Sequence, residues 1–132
     1  IELSFLTLGM DLPEFHIRVS DGLRLNPRLG RKLFPPIGEV SFQAARIDDL
    51  IWVSTPSDFS GEMALAFKRE MHMEGYRALV TSFNGAYVGY IIPAKYYHLN
   101  EYESRLMSWY GPNMGPYSHE MIRRMMNSLL AL

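Results

Sequence analysis

The sequence predicts an α/β fold, with a mixed α+β arrangement as its variant, in which strands pack against at least two amphipathic helices. Three observations predict it. Apolar and alternating runs fill the first part of the chain, the hydrophobic period turns helical after Pro56, and a second helical stripe closes the sequence. Strands, then a helix, a strand and a final helix suit a layer of helices on a sheet better than an all-helical or all-β architecture.

Each element has a local reason. Ile1 to Leu8 carries apolar residues on both faces, as a strand meant to be covered does. Glu14 to Val19 alternates polar and apolar, and Val40 to Ile47 alternates loosely before Asp48-Asp49 and the run Leu50 to Ser54. The last two read as a hairpin. Asn26 to Phe34 is short, basic and bounded by Asn26-Pro27 and Pro35-Pro36, which marks a loop or a single helical turn. Beyond Pro56, Met63, Phe67 and Met71 share a helical face with Ala66 beside them, Ser60 is a candidate N-cap and Gly75 a stop, giving a helix over 60–73. Arg77 to Phe83 reads as a strand, and Tyr87 to Ile92 as an extended or irregular segment past the Asn84-Gly85 turn, broken by Pro93. Gly111-Pro112 and Gly115-Pro116 bracket a loop. After it, Ile122, Met125, Met126 and Leu129 form the apolar stripe of a closing helix with Arg123, Arg124 and Asn127 on its polar side.

Composition bounds the function. The 132 residues, 48% hydrophobic and 20% charged, suit one domain over 1–132. Thirteen Lys and Arg against 14 Asp and Glu leave a charge of −1, which argues against a nucleic-acid partner. With no cysteine, disulfides, thiolate zinc sites, cysteine-ligated iron–sulfur clusters and a cysteine nucleophile are excluded. No run approaches the ~18 apolar residues of a membrane-spanning helix. The chain begins at Ile1, with its first methionine at Met10, so it is expected to be a processed product or a piece of something longer. The sequence gives no basis for a compartment.

No compact catalytic signature is present: there is no HExxH, no GxSxG elbow and no glycine-rich phosphate loop. His16, His72, His98 and His119 are far apart, and structural or solvated roles suit them. Two segments carry more. In Leu50 to Glu62 a strand runs into a proline turn and sets Asp58 just before a helix, where ligands of α/β sheets gather. Asp58 and Ser60 also suit a plain helix start, with Glu62 complementing the dipole. The second segment holds six tyrosines between Tyr87 and Tyr110, which serve equally as a packed aromatic layer, a substrate wall, or a source of one positioned phenol.

Together these segments resemble the later part of the catalytic domain of neutral/alkaline ceramidases. In that family a strand ends in a Pro-Gly-Glu-Phe-Thr-like turn leading into a helix, comparable to Pro56-Ser57-Asp58-Phe59-Ser60. An Asn, two tyrosines three apart, an extended stretch, a Tyr-Glu pair and an aromatic-Gly-Pro sequence follow. Here they are Asn84, Tyr87 and Tyr90, Ile91 to Tyr97, Tyr102-Glu103 and Tyr110-Gly111-Pro112, and the similarity spans residues 40–126.

The resemblance implies a zinc-dependent hydrolase cleaving the amide of ceramide or a related N-acyl lipid, whose metal is held by two histidines, a glutamate and a tyrosine. By motif, Asp58 stands in the glutamate's place with one methylene fewer, Glu62 is the alternative one helical turn on, and Tyr90 is the tyrosine ligand and catalytic residue. Glu62, Asn84, Tyr87 and Tyr97 are expected as a substrate wall or as supports. The family's histidine ligands and catalytic serine lie upstream, with no counterpart here, so the chain alone is not expected to be a competent zinc amidase. It is expected to belong to a larger sheet-containing catalytic domain, with the rest of that domain or a second copy as partner. The alternative is a non-catalytic lipid- or protein-binding domain of the same fold, using the tyrosine-rich region and the adaptable Met121, Met125 and Met126.

Overall fold

The computed structural model describes residues 1–34 and 39–132. Its centre is a four-stranded sheet, in spatial order β1 (Leu3–Gly9), β4 (Ser41–Ile47), β5 (Leu50–Ser54) and β7 (Arg77–Thr81). β1 and β4 are antiparallel, β4 and β5 form the expected hairpin, and β5 and β7 run parallel. The hairpin closes between Ile47 and Leu50, with Asp48 at φ 52°. Two parallel neighbours need a crossover, and α2 (Gly61–Met73) supplies it between β5 and β7. The α/β class is therefore observed, with a mixed sheet.

Alternation along the strands decides which face is core. Phe42 and Ala44 of β4 and Ile51 and Val53 of β5 are buried. Leu6, Leu8, Ala78 and Val80 pack around them from the outer strands. α2 adds Phe67 and Met71, and α4 (Met114–Leu130) adds Ile122, Met125, Met126 and Leu129. The methionine stripe of the last helix is thus core: Met125 and Met126 are 1% and 2% exposed. The opposite sheet face is open. Leu3, Phe5, Ile47, Trp52 and Leu79 remain exposed there, and all but Leu79 line a cavity of about 360 Å³ with Ala45 and Asn84. Phe5, Ala45, Trp52 and Leu79 form one cross-strand row. No helix is long and apolar enough to cross a membrane among the described residues.

Three elements differ from expectation. Only Arg18–Ser20 of the Glu14 to Val19 stretch is a strand, β2, paired with β3 (Leu23–Arg24), because Phe15 and Ile17 leave the sheet to enter the core. Asn26 to Phe34 holds a two-turn helix, α1 (Pro27–Leu33), whose first turn is capped when Asn26 Oδ1 accepts from Arg28 N at 2.9 Å. The Pro35-Pro36 boundary lies outside the described residues. The final helix starts at Met114, so Gly115-Pro116 is its first turn rather than a loop; proline fits there because first-turn N–H groups have no intrahelical acceptor. Gly115 is needed for contact, since a Cβ would sit 2.1 Å from the Ile92 carbonyl oxygen.

The two faces of the sheet give opposite expectations for truncation. Ile51→Ala, at a residue with no exposed surface, should cost about 3 kcal/mol in urea unfolding, whereas Phe5→Ala should cost less than about 1 kcal/mol.

Candidate functional site

The site grows out of the chain leaving β5. Thr55, Pro56 and Ser57 are fully buried, and backbone hydrogen bonds hold them: Thr55 N donates to Thr81 O at 2.9 Å and Val88 N to Pro56 O at 2.9 Å. This fixed turn delivers β6 (Asp58–Phe59) alongside β8 (Tyr90–Ile91), in parallel. Asp58 N donates to Gly89 O at 3.1 Å and Ser60 N to Ile91 O at 3.0 Å. Phe59 and Ile91 are directly paired and buried, so the other pair, Asp58 and Tyr90, must share the opposite face. Burial of two apolar residues thereby brings a carboxylate and a phenol together.

The electrostatics follow from that pairing. Side-chain hydrogen bonding to Asp58, then burial, then the charges of Asp58, Tyr87 and Tyr102 push the Tyr90 phenol from 10.0 up to about 12. Tyr90 is therefore a neutral phenol at physiological pH. The folded state favours the protonated phenol, so its contribution is complete below pH 10 and is lost as pH rises through about 12. Burial, assisted by the Asp58 and Tyr102 charges, raises Tyr87 as well. Tyr102, in the short helix α3 (Tyr102–Arg105), meets Tyr90 edge to face with centroids 6.3 Å apart. Four of the motif residues, Asp58, Tyr87, Tyr90 and Tyr102, thus form one cluster.

Others are engaged elsewhere. Glu62, in the first turn of α2, accepts from Lys95 Nζ at 2.5 Å and Tyr96 OH at 2.7 Å, and these two partners hold its carboxyl below its usual range. Ser60 is the N-cap residue but makes no side-chain cap bond. Asn84 braces its own turn, donating to Thr81 Oγ1 at 2.8 Å and Ser82 O at 3.1 Å. Tyr97 is 1% exposed and lies under the Arg18 guanidinium at 4.6 Å from the ring centroid, which leaves it no face for a ligand. Arg18 also donates to the carbonyl oxygens of Tyr97, Leu99 and Ser104.

The aromatic residues behind the cluster form a connected series. Tyr87 stacks on Phe83 with centroids 5.5 Å apart and planes 14° from parallel, and it meets Trp109 edge to face at 5.5 Å. Trp109 continues inward to the buried Phe15 and also meets the exposed Phe34. Phe83, which reads from sequence as the end of β7, instead turns out of the strand at φ 60°, a left-handed conformation that costs a bulky residue about 1 kcal/mol. Gly89 is the other residue the sequence reading passed over. It combines φ 82° with so close an approach that a Cβ would lie 2.4 Å from Met107 O and 2.8 Å from the Trp109 ring. The adjacent Asn84-Gly85 was the visible turn signal; nothing local marks the contact at Gly89.

Among the described residues no group of three or more His, Cys, Asp or Glu side chains is disposed to hold a metal. Asp58 and Tyr90 put two oxygen donors on one face of the β6–β8 pair, and oxygen is a donor type that zinc accepts beside imidazole.

The fold, a sheet of mixed direction backed by helices, is shared with proteins of known structure. The crystal structure of neutral ceramidase from Pseudomonas aeruginosa superposes with a TM-score of 0.61 over 91% of this chain, at 18% identity. A ceramidase complexed with C2 superposes with a TM-score of 0.54 over 69% of this chain, at 21% identity. These likenesses establish a common fold. The chain spans 27% of the first of those chains and 15% of the second. No family model and no curated protein matches the sequence.

Two outcomes check the geometry. Gly89→Ala should destabilise the protein by about 2–4 kcal/mol in chemical unfolding, since both the backbone angle and the Met107 carbonyl oppose a Cβ. Asp58→Asn should return the Tyr90 phenol from about 12 toward 10.0, followed by the ring-carbon NMR shift of labelled tyrosine against pH.

Proposed function

We propose that this chain is the later part of the catalytic domain of a neutral-ceramidase-like, zinc-dependent hydrolase that cleaves the amide of an N-acylated lipid. The observation that carries the reading is the pairing of Asp58 with Tyr90 on β6 and β8, within a fold shared with ceramidases. Asp58 and Tyr90 would hold the zinc together with ligands from outside this chain, and the rest of the catalytic domain is its partner. A zinc ion held there would supply Lewis-acid polarisation of an amide carbonyl and a lowered pKa for its bound water.

The chain's own residues supply positioning. The backbone bonds of β6 fix the main chain at Asp58, so its side chain leaves the β6–β8 pair on the same face as Tyr90. Without metal, the Asp58 carboxylate keeps the Tyr90 phenol protonated. In the complete site its hydroxyl would hold the metal and lie where it supports the charge that gathers on the amide oxygen as the carbonyl is attacked. Glu62, tied to Lys95 and Tyr96, steadies the start of α2 behind the site.

The alternative, a non-catalytic lipid- or protein-binding domain, draws its support from the open apolar face around Phe5 and Trp52. The buried methionine stripe gives it none.

The test uses the protein at its full natural length, purified with zinc supplied. Asp58→Ala should lower bound zinc and amidase activity on an N-acyl sphingoid base by at least about 100-fold, and Tyr90→Phe should lower activity by a similar factor. A protein whose zinc content and activity ignore both substitutions refutes the assignment, and one with neither zinc nor amidase activity supports the binding-domain alternative.

A further inference from the structure

We propose that Phe83, stacked on Tyr87, is a specificity-determining residue: the two rings form the platform on which the apolar chain of an amphiphilic substrate lies while its polar end meets Asp58 and Tyr90. The inference rests on the reading of Asp58 and Tyr90 given above and extends it to selection by chain length.

Phe83 is 62% exposed although its backbone sits in the left-handed region at φ 60°. Glycine or asparagine adopts that conformation with little strain. An exposed ring recovers little hydrophobic free energy within this chain, so the strain has no compensation from burial. The backbone around it is nonetheless firmly held. Phe83 N donates to Ser57 O at 3.0 Å, Asn84 N donates to Thr55 O at 3.0 Å, and the Asn84 side chain braces the same turn. The ring is therefore presented at a set position beside the residue that precedes Asp58.

The surface it makes is apolar and rigid. Phe83 lies flat on Tyr87, and Tyr87 is backed edge-on by Trp109, which is 9% exposed. A flexible hydrocarbon chain gains dispersion and hydrophobic contact on such a pair of rings, while a polar group gains no hydrogen bond from Phe83. The direction of the platform follows from the backbone: Phe83 N donates to Ser57 O, next to Asp58, and Tyr87 lies three residues before Tyr90. Tyr87 is thus the end of the stack nearer the carboxylate–phenol cluster, and Phe83 is the exposed end within this chain. An acyl or alkyl chain attached to a polar group at Asp58 and Tyr90 would run outward over Phe83.

Binding of N-acetylethanolamine and N-lauroylethanolamine, below the micellar concentration of the latter, tests this by ligand-observed NMR. It is read in the full natural-length protein as wild type, Phe83→Gly, Phe83→Leu and Tyr90→Phe. The expected result is a loss of about tenfold in lauroyl affinity for Phe83→Gly, a smaller loss for Phe83→Leu, and no change for the acetyl probe. The thermal midpoint of Phe83→Gly should not fall below that of wild type, because glycine relaxes the backbone at this position. Equal losses for both probes, or no loss for either, overturn the platform. If Tyr90→Phe still weakens both probes in that case, the reading of the polar cluster survives. Failure of the wild type to bind either probe overturns both.

Discussion

Two backbone hydrogen bonds between β6 and β8 hold the arrangement on which the rest of the site depends. They lock a register in which Phe59 faces Ile91 inside and Asp58 faces Tyr90 outside. A slip of one residue would turn the carboxylate inward against the core and the phenol away from it. Such short strands have little stability of their own, so the register has to be set by what flanks them. On one side that is the buried Thr55-Pro56-Ser57 turn, on the other the approach of Gly89 to Met107 and Trp109. The flanking packing and these hydrogen bonds together therefore fix which residues share a face.

The same logic runs through the aromatic residues. The tyrosine-rich segment divides by depth. Tyr97 is spent under Arg18, which caps three carbonyl groups with one guanidinium. Tyr96 ties the segment to α2 through Glu62. Tyr87, Tyr90 and Tyr102 remain near one carboxylate. Hydrogen bonding to Asp58 in Tyr90 and burial in Tyr87, each reinforced by the neighbouring charges, make both keep their protons more tightly than a free phenol does.

The sheet has two faces with different fates. Helices α2 and α4 close one, and their apolar stripes supply Phe67, Met71, Met125 and Met126 to a single core. The other presents the row of Phe5, Ala45, Trp52 and Leu79 with Leu3 beside it, broad enough to act as one surface. β1 lies at the edge of the sheet, and Arg46 bridges to Glu2 at 3.0 Å just before it. That ion pair is exposed on its carboxylate side and contributes little to stability.

By itself the sequence determined the periodic elements. The β4–β5 hairpin, α2 with Ser60 and Gly75 at its ends, β7 and the stripe of α4 all follow from local spacing, because strand and helix periods act within a few residues of each other. The pairing of apolar Phe59 with Ile91, by contrast, joins positions far apart in the chain, and no local pattern states it. Asp58 and Tyr90 were legible as candidates through motif order, yet their side-by-side placement is a tertiary fact. So is the fate of Glu62, claimed by Lys95 and Tyr96, and of Phe83, whose left-handed backbone is imposed by hydrogen bonds from the turn after β5. Sequence specifies what each segment can be; the core decides which residues it leaves facing one another, since burial is settled only when every segment has chosen its face.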